Sequence, residues 1–476
     1  MTSSLSTSQP AWAAVVLTAI CLHLSVRSDE THPVVAPFDT GDRVVFVGDS
    51  ITAWGQYTAI VHLFYQTRFP DRKFNIYNAA LSGDTAFHAR LRAEPTGSLF
   101  QNDILRSRPN VAVIMLGMND SRHLDIWGQP AEVRRERLAK AAETYRTSMD
   151  ELIAKLEANG VRRLIPVISC PYDESTTRGK PPLTGKNGFI RDVTGDYLRQ
   201  VAARRGATPI DLNSPMLTIN VREQARDPRF SLADMGDRVH PLEMGHFVMA
   251  YLFLKAMGIE PTVTTLAIDA AEGEVLAAKR CEVFNVYRSA TGLRFDCLAG
   301  SLPFPTTAFS FQGVVPFDEE LNQEQFQVTG LAPGSYAVSI DSVKIGVFAA
   351  QQLNRGINLA LHPHTPQQQQ ALEVKRISAR SWQASISKRH LIWHQRLMHI
   401  RKLDTKEKQI AWLTSRTPPT RAVNREREEE FLRLLEDGRL EEVYAASLRQ
   451  AEALNDQAYA ACTPRKRTYE LIRVSD

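Results

Sequence analysis

The chain has 476 residues, of which 43% are hydrophobic and 23% charged, and this composition excludes a disordered or fibrous protein. A chain of this length is enough for roughly two to four domains. The net charge of +4 is small for the length and gives no argument for nucleic-acid binding.

The N-terminal segment has the pattern of an export signal. Residues 1–26 carry no lysine, arginine, aspartate or glutamate, and residues 11–24 form an apolar run. This run is shorter than the about 20 residues that a membrane-spanning helix needs. Small residues follow at Ser25 and Ser28, where cleavage is expected. We therefore predict a cleaved signal peptide over residues 1–28, a secreted or periplasmic protein and no stable membrane span; a short anchor or a buried helix is the alternative.

From residue 43 onward, short apolar runs alternate with amphipathic segments. Strands are expected at RVVFV, FNIYN, VAVIML, RRLIPVIS and TPIDL. Helices are expected over residues 54–69, 99–106, 130–158, 189–205 and 243–257. This alternation predicts a parallel sheet covered by helices on both faces. Ligands of such sheets bind at the carboxyl ends of the strands.

The pattern changes after about residue 262, where short β-like segments follow one another. These are EVFNVYR, GLRFDCL, FQGVVPF, FQVTG, SYAVSI and KIGVF. Asp341 and Ser342 lie between the last two and are expected to turn a hairpin. We predict a small β module over residues 275–362, which packs against the parallel-sheet domain because its strands are more apolar than those of a free module.

The chain has five cysteines, of which Cys21 belongs to the predicted signal. Cys281 and Cys297 flank a predicted strand–turn–strand segment, so either a disulfide or two free thiols fits. Cys170 and Cys462 have no obvious partner. No cysteine or histidine spacing indicates a metal site.

Residues 363–476 are predicted to form a charged helical tail. Within it, residues 375–408 hold ten lysines or arginines against two acidic residues, with Trp382 and Trp393 among them. Such a stretch forms either a patch for an anionic partner or a solvated helix face with its tryptophans packed inward. We favour the solvated face and expect no nucleic-acid partner.

Four short motifs fall at the ends of predicted strands or just before the last helix. VVFVGDSIT contains Ser50, NAALSGDT contains Gly83, GMND contains Asn119, and DRVHP contains Asp237 and His240. Each motif alone is explained by turn or capping chemistry. Their joint occurrence at one edge of a parallel sheet predicts a site.

The residue types match nucleophilic catalysis. A serine hydroxyl needs an adjacent base, so we expect His240 to take the proton from Ser50. Asp237, three residues earlier, would hold the imidazole in the correct tautomer. The oxyanion formed by attack on an ester needs preorganised donors. We expect these from the backbone N–H groups of Ser50 and Gly83 and from the side-chain amide of Asn119.

These motifs together resemble those of the SGNH (GDSL-type) hydrolase superfamily, named for the residues found here as Ser50, Gly83, Asn119 and His240. The resemblance covers residues 40–260. It implies a flavodoxin-like three-layer α/β/α sandwich and ester hydrolysis through an acyl-serine, with no metal or cofactor. One departure is Arg238, where members of the family often carry glycine; it is expected to alter the loop but not the triad.

The GDSIT form and the export signal resemble family members that remove acetyl or other short acyl groups from carbohydrates. The expected substrate is a small-molecule or polysaccharide ester. Tyr172 and Phe189 border the loop 171–189 and are candidates for stacking on a sugar ring, or for packing. A lipase-like or aryl esterase is the alternative enzyme, and a non-catalytic binding protein on a hydrolase scaffold is the alternative of another class.

Overall fold

The computed structural model describes residues 35–122, 124–309, 313–417, 419 and 421–474, so the predicted signal peptide lies outside the described residues. A parallel five-stranded sheet forms the centre of the first half, with the order β2-β1-β3-β4-β5. Its strands are β1 (Arg43–Gly48), β2 (Asn75–Asn78), β3 (Val111–Met115), β4 (Arg163–Ile168) and β5 (Ile210–Asp211). This order is the flavodoxin-like one and confirms the predicted fold.

Helices cover both faces of this sheet. They are α1 (Ser50–Trp54), α2 (Gln56–Arg68), α3 (Ala86–Ala89), α4 (Leu124–Trp127), α5 (Ala131–Ala158), α6 (Lys186–Gly188), α7 (Gly195–Ala203), α8 (Asn213–Gln224) and α9 (Glu243–Ala256). A 3₁₀ turn at Arg90–Arg92 follows α3, and a π-helical segment, Phe189–Thr194, joins α6 to α7.

The alternation of side chains along β1 shows why both faces are apolar. Val44 and Phe46 pack with α2, α8 and α9, whereas Val45 and Val47 pack with α3, α5 and α7. Successive residues of a strand point to opposite faces, so a strand buried on both sides needs a continuous apolar run. RVVFV is such a run.

The second half begins with strands arranged in two further sheets. Their strands are β6 (Thr262–Asp269), β7 (Glu274–Lys279), β8 (Cys281–Ser289), β9 (Gly292–Ala299), β10 (Gln323–Thr329), β11 (Ser335–Ile340), β12 (Val343–Ala349), β13 (Ile357–Asn358) and β14 (Lys466–Val474). One sheet has the order β13-β10-β6-β7 and the other the order β12-β11-β14-β9-β8. A shared apolar cluster fills the space between them.

Helices α10 (Phe317–Leu321), α11 (Ala350–Arg355), α12 (Pro366–Ser387), α13 (Arg389–Ile400), α14 (Lys406–Ser415), α15 (Ala422–Glu436) and α16 (Leu440–Ala461) complete the second half, with 3₁₀ turns at Thr306–Ala308 and Leu359–Leu361. The region predicted as a helical tail therefore also contains β14, which pairs with β9 on one side and β11 on the other. The division into a β module and a tail stays a prediction.

The two halves share one hydrophobic core. Phe304 and Phe317 pack with Phe64 of α2, and Tyr459 of α16 hydrogen-bonds to the Arg72 carbonyl. Residues 33–476 accordingly form a single compact unit. The structure supports the predicted packing of the second half against the first.

One local prediction, a hairpin turn, is confirmed and two others are wrong. Asp341 and Ser342, both with positive φ (50° and 66°), turn the hairpin β11–β12 as expected. Residues 99–106 form successive turns instead of the expected helix. The expected strand FQGVVPF lies partly outside the described residues, and its remainder forms a turn that leads into α10.

The cysteine alternatives are resolved in favour of thiols. Cys281 and Cys297 lie on the neighbouring strands β8 and β9 and are both free, as are Cys170 and Cys462. Hydrogen bonding between the first two thiols lowers the pKa of Cys281.

Among the described residues, no helix is long and apolar enough to cross a membrane. The part of the chain that the structure describes contains no group of three or more histidine, cysteine, aspartate or glutamate side chains that could hold a metal ion.

Candidate active site

Ser50 lies at the carboxyl end of β1, at the first residue of α1. Asp49 caps this helix by accepting a hydrogen bond from the Ile51 N–H at 3.0 Å. Gly48 is required here because a Cβ at this position would lie 2.5 Å from the Thr52 hydroxyl oxygen. The G-D-S run thus ends a buried strand abruptly and leaves the Ser50 side chain half-buried at the edge of the sheet.

His240 and Asp237 meet Ser50 as predicted. The Ser50 Oγ lies 2.7 Å from His240 Nε2, and His240 Nδ1 lies 2.5 Å from Asp237 Oδ2. The other carboxylate oxygen of Asp237 accepts the backbone N–H groups of Val239 and His240, each at 2.9 Å. Three hydrogen bonds from Val239 and His240 therefore hold the carboxylate in place, and the imidazole completes a continuous hydrogen-bonded chain from acid to hydroxyl.

The Asp237 carboxyl is ionised across the neutral range. Partial burial works against the charge, but hydrogen bonds from the His240 ring and from the backbone N–H groups of His240 and Val239 outweigh it and lower the pKa of Asp237 to about 2. An ionised carboxylate beside Nδ1 holds the Nδ1–H tautomer of His240 and leaves Nε2 facing the Ser50 hydroxyl.

Trp54, one turn after Ser50 on α1, stacks on the His240 ring, with centroids 5.2 Å apart and 20° between the planes. The stacked indole limits rotation of the imidazole. It also covers one face of the ring.

Arg238 stands at a position where members of the family often carry glycine, and the structure shows its conformation and its contacts. Its φ is 66°, in the left-handed region that favours glycine. The side chain is buried and donates to the carbonyl oxygens of Lys180, Asp173 and Thr176 at 2.6–3.0 Å. Arg238 therefore ties the loop that carries Asp237 and His240 to the loop 171–189.

The three predicted oxyanion donors follow three adjacent strands, β1, β2 and β3. Gly83 is exposed and has a φ of 75°, and Asn119 is half-buried. Asn119 Nδ2 donates one hydrogen bond to the Asp84 carbonyl at 2.9 Å. An amide nitrogen carries two hydrogens, so this bond anchors the side chain while the second N–H serves another acceptor.

Two cavities flank this edge of the sheet. One, of about 820 Å³, lies beside Gly83 and Asn119 and is bounded by α5. The other, of about 720 Å³, lies between Trp54 on the sheet side and Trp393 of α13 on the other. Both are lined mainly by polar and charged side chains. Ser50 and His240 line neither cavity, but Trp54, which stacks on His240, lines the second.

The structure decides between two alternatives for one pair of side chains and overturns the expectation for a third. Tyr172 and Phe189, for which stacking on a sugar and packing were both open, are buried in the protein core, which favours packing. Trp393, expected to pack inward, is 42% exposed and faces the second cavity. Trp382 follows the expectation more closely, since it is half-buried and packs against Gly55.

The basic stretch 375–408 also contributes to the site, which sequence reasoning missed. Arg389 and Arg396 of α13 are not part of a solvated face: they donate to backbone carbonyls of the loop that contains Gly83. The available signal was the two arginines seven residues apart on one helix, but nothing in the sequence indicates what they contact.

The profile of the GDSL-like Lipase/Acylhydrolase family matches residues 46–247. An acetylxylan esterase from Geobacillus stearothermophilus is 22% identical over 236 residues, which are 46% of this chain and 96% of the relative. A solved structure of a catalytic mutant of such an enzyme from the same organism is 20% identical, covers 47% of this chain and 96% of its own, and has a TM-score of 0.36.

A second solved structure, that of a gut microbial diltiazem-metabolizing enzyme, matches much more of the chain. It is 30% identical, with a TM-score of 0.82, and the match covers 93% of this chain and all of the other. The similarity therefore extends through the second half, beyond the region that the family profile matches.

The flavodoxin-like sheet and the serine at its carboxyl edge define a serine carboxylic ester hydrolase. The chain belongs to the SGNH (GDSL-type) hydrolase family, as the four motifs indicated. This assignment sets aside the alternative of a non-catalytic binding protein.

Proposed function

We propose that this esterase is exported and removes acetyl or other short acyl groups from carbohydrates, with Ser50, His240 and Asp237 as its catalytic residues. The observation that carries the catalytic assignment is the unbroken hydrogen-bonded chain from Asp237 through His240 to Ser50.

The first half-reaction follows from this geometry. Ser50 Oγ attacks the ester carbonyl carbon while its proton passes to His240 Nε2, and the carbonyl oxygen becomes an oxyanion. The backbone N–H groups of Ser50 and Gly83 and the free N–H of the Asn119 amide donate to that oxyanion. When the tetrahedral intermediate collapses, the bond to the leaving alkoxide breaks, and His240 gives its proton to the departing alcohol.

The second half-reaction reverses these roles with water. His240 takes a proton from water as the water oxygen attacks the acyl carbon, the bond to Ser50 Oγ breaks, and the proton returns to Ser50. The carboxylic acid leaves and the enzyme is regenerated. Asp237 stays ionised throughout.

Two observations support a carbohydrate ester as substrate. The cavities beside the site are lined mainly by polar side chains, with Trp54 and Trp393 as aromatic surfaces, and sugars bind to such a combination of hydrogen-bonding groups and flat rings. The acetylxylan esterase relative is matched over nearly its whole length. A second candidate, an esterase for small aromatic esters, is supported by the same tryptophans and by the diltiazem-metabolizing relative.

A substrate panel tests this proposal. Purified protein is assayed on acetylated xylooligosaccharides, on p-nitrophenyl esters of increasing acyl length and on diltiazem, with the Ser50→Ala variant as the blank. We expect kcat/KM to be highest for acetyl esters and to rise further when the alcohol is a sugar. A preference for long acyl chains would overturn the short-acyl proposal, and a preference for aryl acetates over sugar acetates would favour the second candidate.

Export is tested separately. The full chain is produced in a bacterium that secretes through a cleavable signal, and the N-terminus of the exported protein is sequenced. We expect the mature chain to begin near Ser25–Glu30. Full-length protein confined to the cytoplasm would contradict export.

A further inference from the structure

The loop between β2 and α3, residues 79–84, has a hydrogen-bond partner for each of its six backbone carbonyls. The carbonyls of residues 79, 80, 82 and 83 accept from arginine side chains, that of residue 81 from the Asp84 N–H, and that of residue 84 from Asn119. We call this segment the oxyanion loop because it carries Gly83. Ser82 and Gly83 are the exposed residues of this loop, and both of their carbonyls accept from the side chain of one buried arginine, Arg396.

Three of these bonds come from α13, more than 300 residues away in sequence. Arg389 and Arg396 are seven residues apart, two helical turns, and so lie on one face of the helix. Arg389 reaches the Ala80 carbonyl at 3.1 Å. Arg396 reaches the carbonyls of Ser82 at 3.0 Å and Gly83 at 3.2 Å through its two terminal nitrogens.

The bond from Arg396 to Ser82 bears directly on the oxyanion donor. The Ser82 carbonyl and the Gly83 N–H belong to the same peptide unit, which is planar and trans, so the two groups point in opposite directions. A donor that holds the carbonyl therefore also fixes the direction of the N–H. Because the donor is a cation, it also polarises the peptide and strengthens the N–H as a hydrogen-bond donor.

We propose that Arg396 is a positioning residue for the oxyanion hole: from the C-terminal half, it orients the Gly83 N–H toward the Ser50 side of the sheet. This inference rests on the proposed role of Gly83. Glycine at a φ of 75° has unusual freedom to rotate its flanking peptides, so without the arginine the Gly83 peptide unit can turn away.

The surroundings of Arg396 hold it firmly in this position. The residue is only 9% exposed. Its Nη1 lies 4.0 Å from the Asp84 carboxylate, and its Nη2 lies 3.1 Å from His88 Nδ1. A guanidinium can only donate, so His88 accepts on Nδ1 and is neutral; burial and the Arg396 charge lower the pKa of His88 accordingly. The carboxylate that faces Arg396 is that of Asp84, which also pairs with Arg92.

The test compares Arg396→Ala with Arg68→Ala. Arg68 is a matched control because it is also buried and also donates to two backbone carbonyls, those of Leu321 and Glu260. It lies at the far end of α2, about 18 Å along the helix from Gln56 at a rise of 1.5 Å per residue. Both variants lose a buried arginine between the two halves, but only one touches the oxyanion loop.

For Arg396→Ala we expect kcat on p-nitrophenyl acetate to fall about 10- to 100-fold, less than for loss of a whole oxyanion donor, with KM changed less than about threefold. Arg68→Ala should lower Tm by a similar amount and keep kcat near that of the wild type. If folded Arg396→Ala keeps its kcat, or if both variants lose kcat in proportion to Tm, the inference is wrong.

Two further measurements protect the test against a variant that folds poorly. Arg396→Lys keeps the charge but cannot span both carbonyls, so its kcat should lie between those of the wild type and the alanine variant. Guanidinium chloride at about 10–50 mM, well below denaturing concentrations, should restore part of the kcat of Arg396→Ala and none of that of Arg68→Ala. Equal responses of the two variants would overturn the proposal.

The double variant with Asn119→Ala separates this inference from the proposed function. Asn119 is anchored on the same loop through the Asp84 carbonyl, so the two losses should combine to less than their product. If Asn119→Ala and Ser50→Ala both retain activity, the proposed site itself is wrong. If both are impaired and Arg396→Ala is not, only the role of Arg396 is wrong.

Discussion

The two loops that complete the site are held in place in different ways. The loop with Asp237 and His240 is braced from within the first half, by Arg238 and the loop 171–189. Three of the six backbone carbonyls of the oxyanion loop are held from the second half, by Arg389 and Arg396 of α13. The loop with Asp237 and His240 is thus fixed by contacts within the first half, whereas the loop with Gly83 is partly fixed by a region that carries none of the four family motifs.

The largest loss of activity is expected from substitution of the proposed nucleophile and base. Ser50→Ala and His240→Ala should each lower kcat by about 10⁴-fold or more, and the double variant should be little worse than either, because nucleophile and base act as one unit. Steady-state hydrolysis of p-nitrophenyl acetate measures this, with mapping of a phosphonate label to Ser50 as an independent check. Near-normal turnover by correctly folded Ser50→Ala would refute the triad.

Removal of the second half should reduce activity nearly as much, because the remaining fragment should not stay folded. A fragment of residues 29–262 keeps every motif residue but loses Phe304, Phe317 and Tyr459 from the shared core. The exposed apolar surface should make it aggregate or unfold. Size-exclusion chromatography and thermal melting decide the question; a soluble monomer with the Tm of the whole protein would show that the first half is independent.

Asn119→Ala removes one proposed oxyanion donor and leaves in place the arginines that hold the two loops. We expect kcat to fall by roughly 10²- to 10³-fold with little change in KM, because the amide binds charge that develops only in the transition state. The kinetic constants on p-nitrophenyl acetate separate the two effects. An increase in KM alone would place Asn119 in ground-state substrate binding.

The smallest effect is expected at Arg238, and it concerns stability. Lost hydrogen bonds and relieved backbone strain contribute to it separately. Arg238→Ala loses three hydrogen bonds to carbonyls and keeps the strained φ of 66°, whereas Arg238→Gly loses the same bonds but relieves the strain. The glycine variant should therefore be more stable than the alanine variant by about 1 kcal/mol. Urea denaturation of both variants measures this difference; equal stabilities would mean that the backbone at Arg238 is not strained.

The parallel sheet and the Ser50–His240–Asp237 constellation were predictable because their signals are local. Buried parallel strands need continuous apolar runs, and each site residue follows such a run or precedes a helix within a few positions. The hydrogen bonds that Asp237 accepts from the backbone N–H groups two and three positions later are likewise local, since all three residues lie within DRVHP.

The failures share a physical cause, which is contact across long sequence distances. Residues 99–106 have a helical pattern, but Leu99 and Phe100 are buried against Leu391 and Ile392 of α13, and this packing favours turns over a helix. From the sequence, Arg396 is expected to be one of many solvated cations, but in the fold it donates hydrogen bonds to the carbonyls of Ser82 and Gly83. A single sequence contains no information about which distant segment meets which.

The position of β14 has a consequence for the order in which the molecule assembles. This strand follows all the others in sequence yet lies in the middle of its sheet, between β9 and β11. During synthesis the hairpins β8–β9 and β11–β12 can form as they emerge, but they cannot join until β14 has been made. Its pairing with β9 closes a loop of more than 160 residues, a slow step for a folding chain. Helices α12 to α16 lie within that loop, so the segment that carries α13 and its two arginines is closed at both ends only when this last strand has paired.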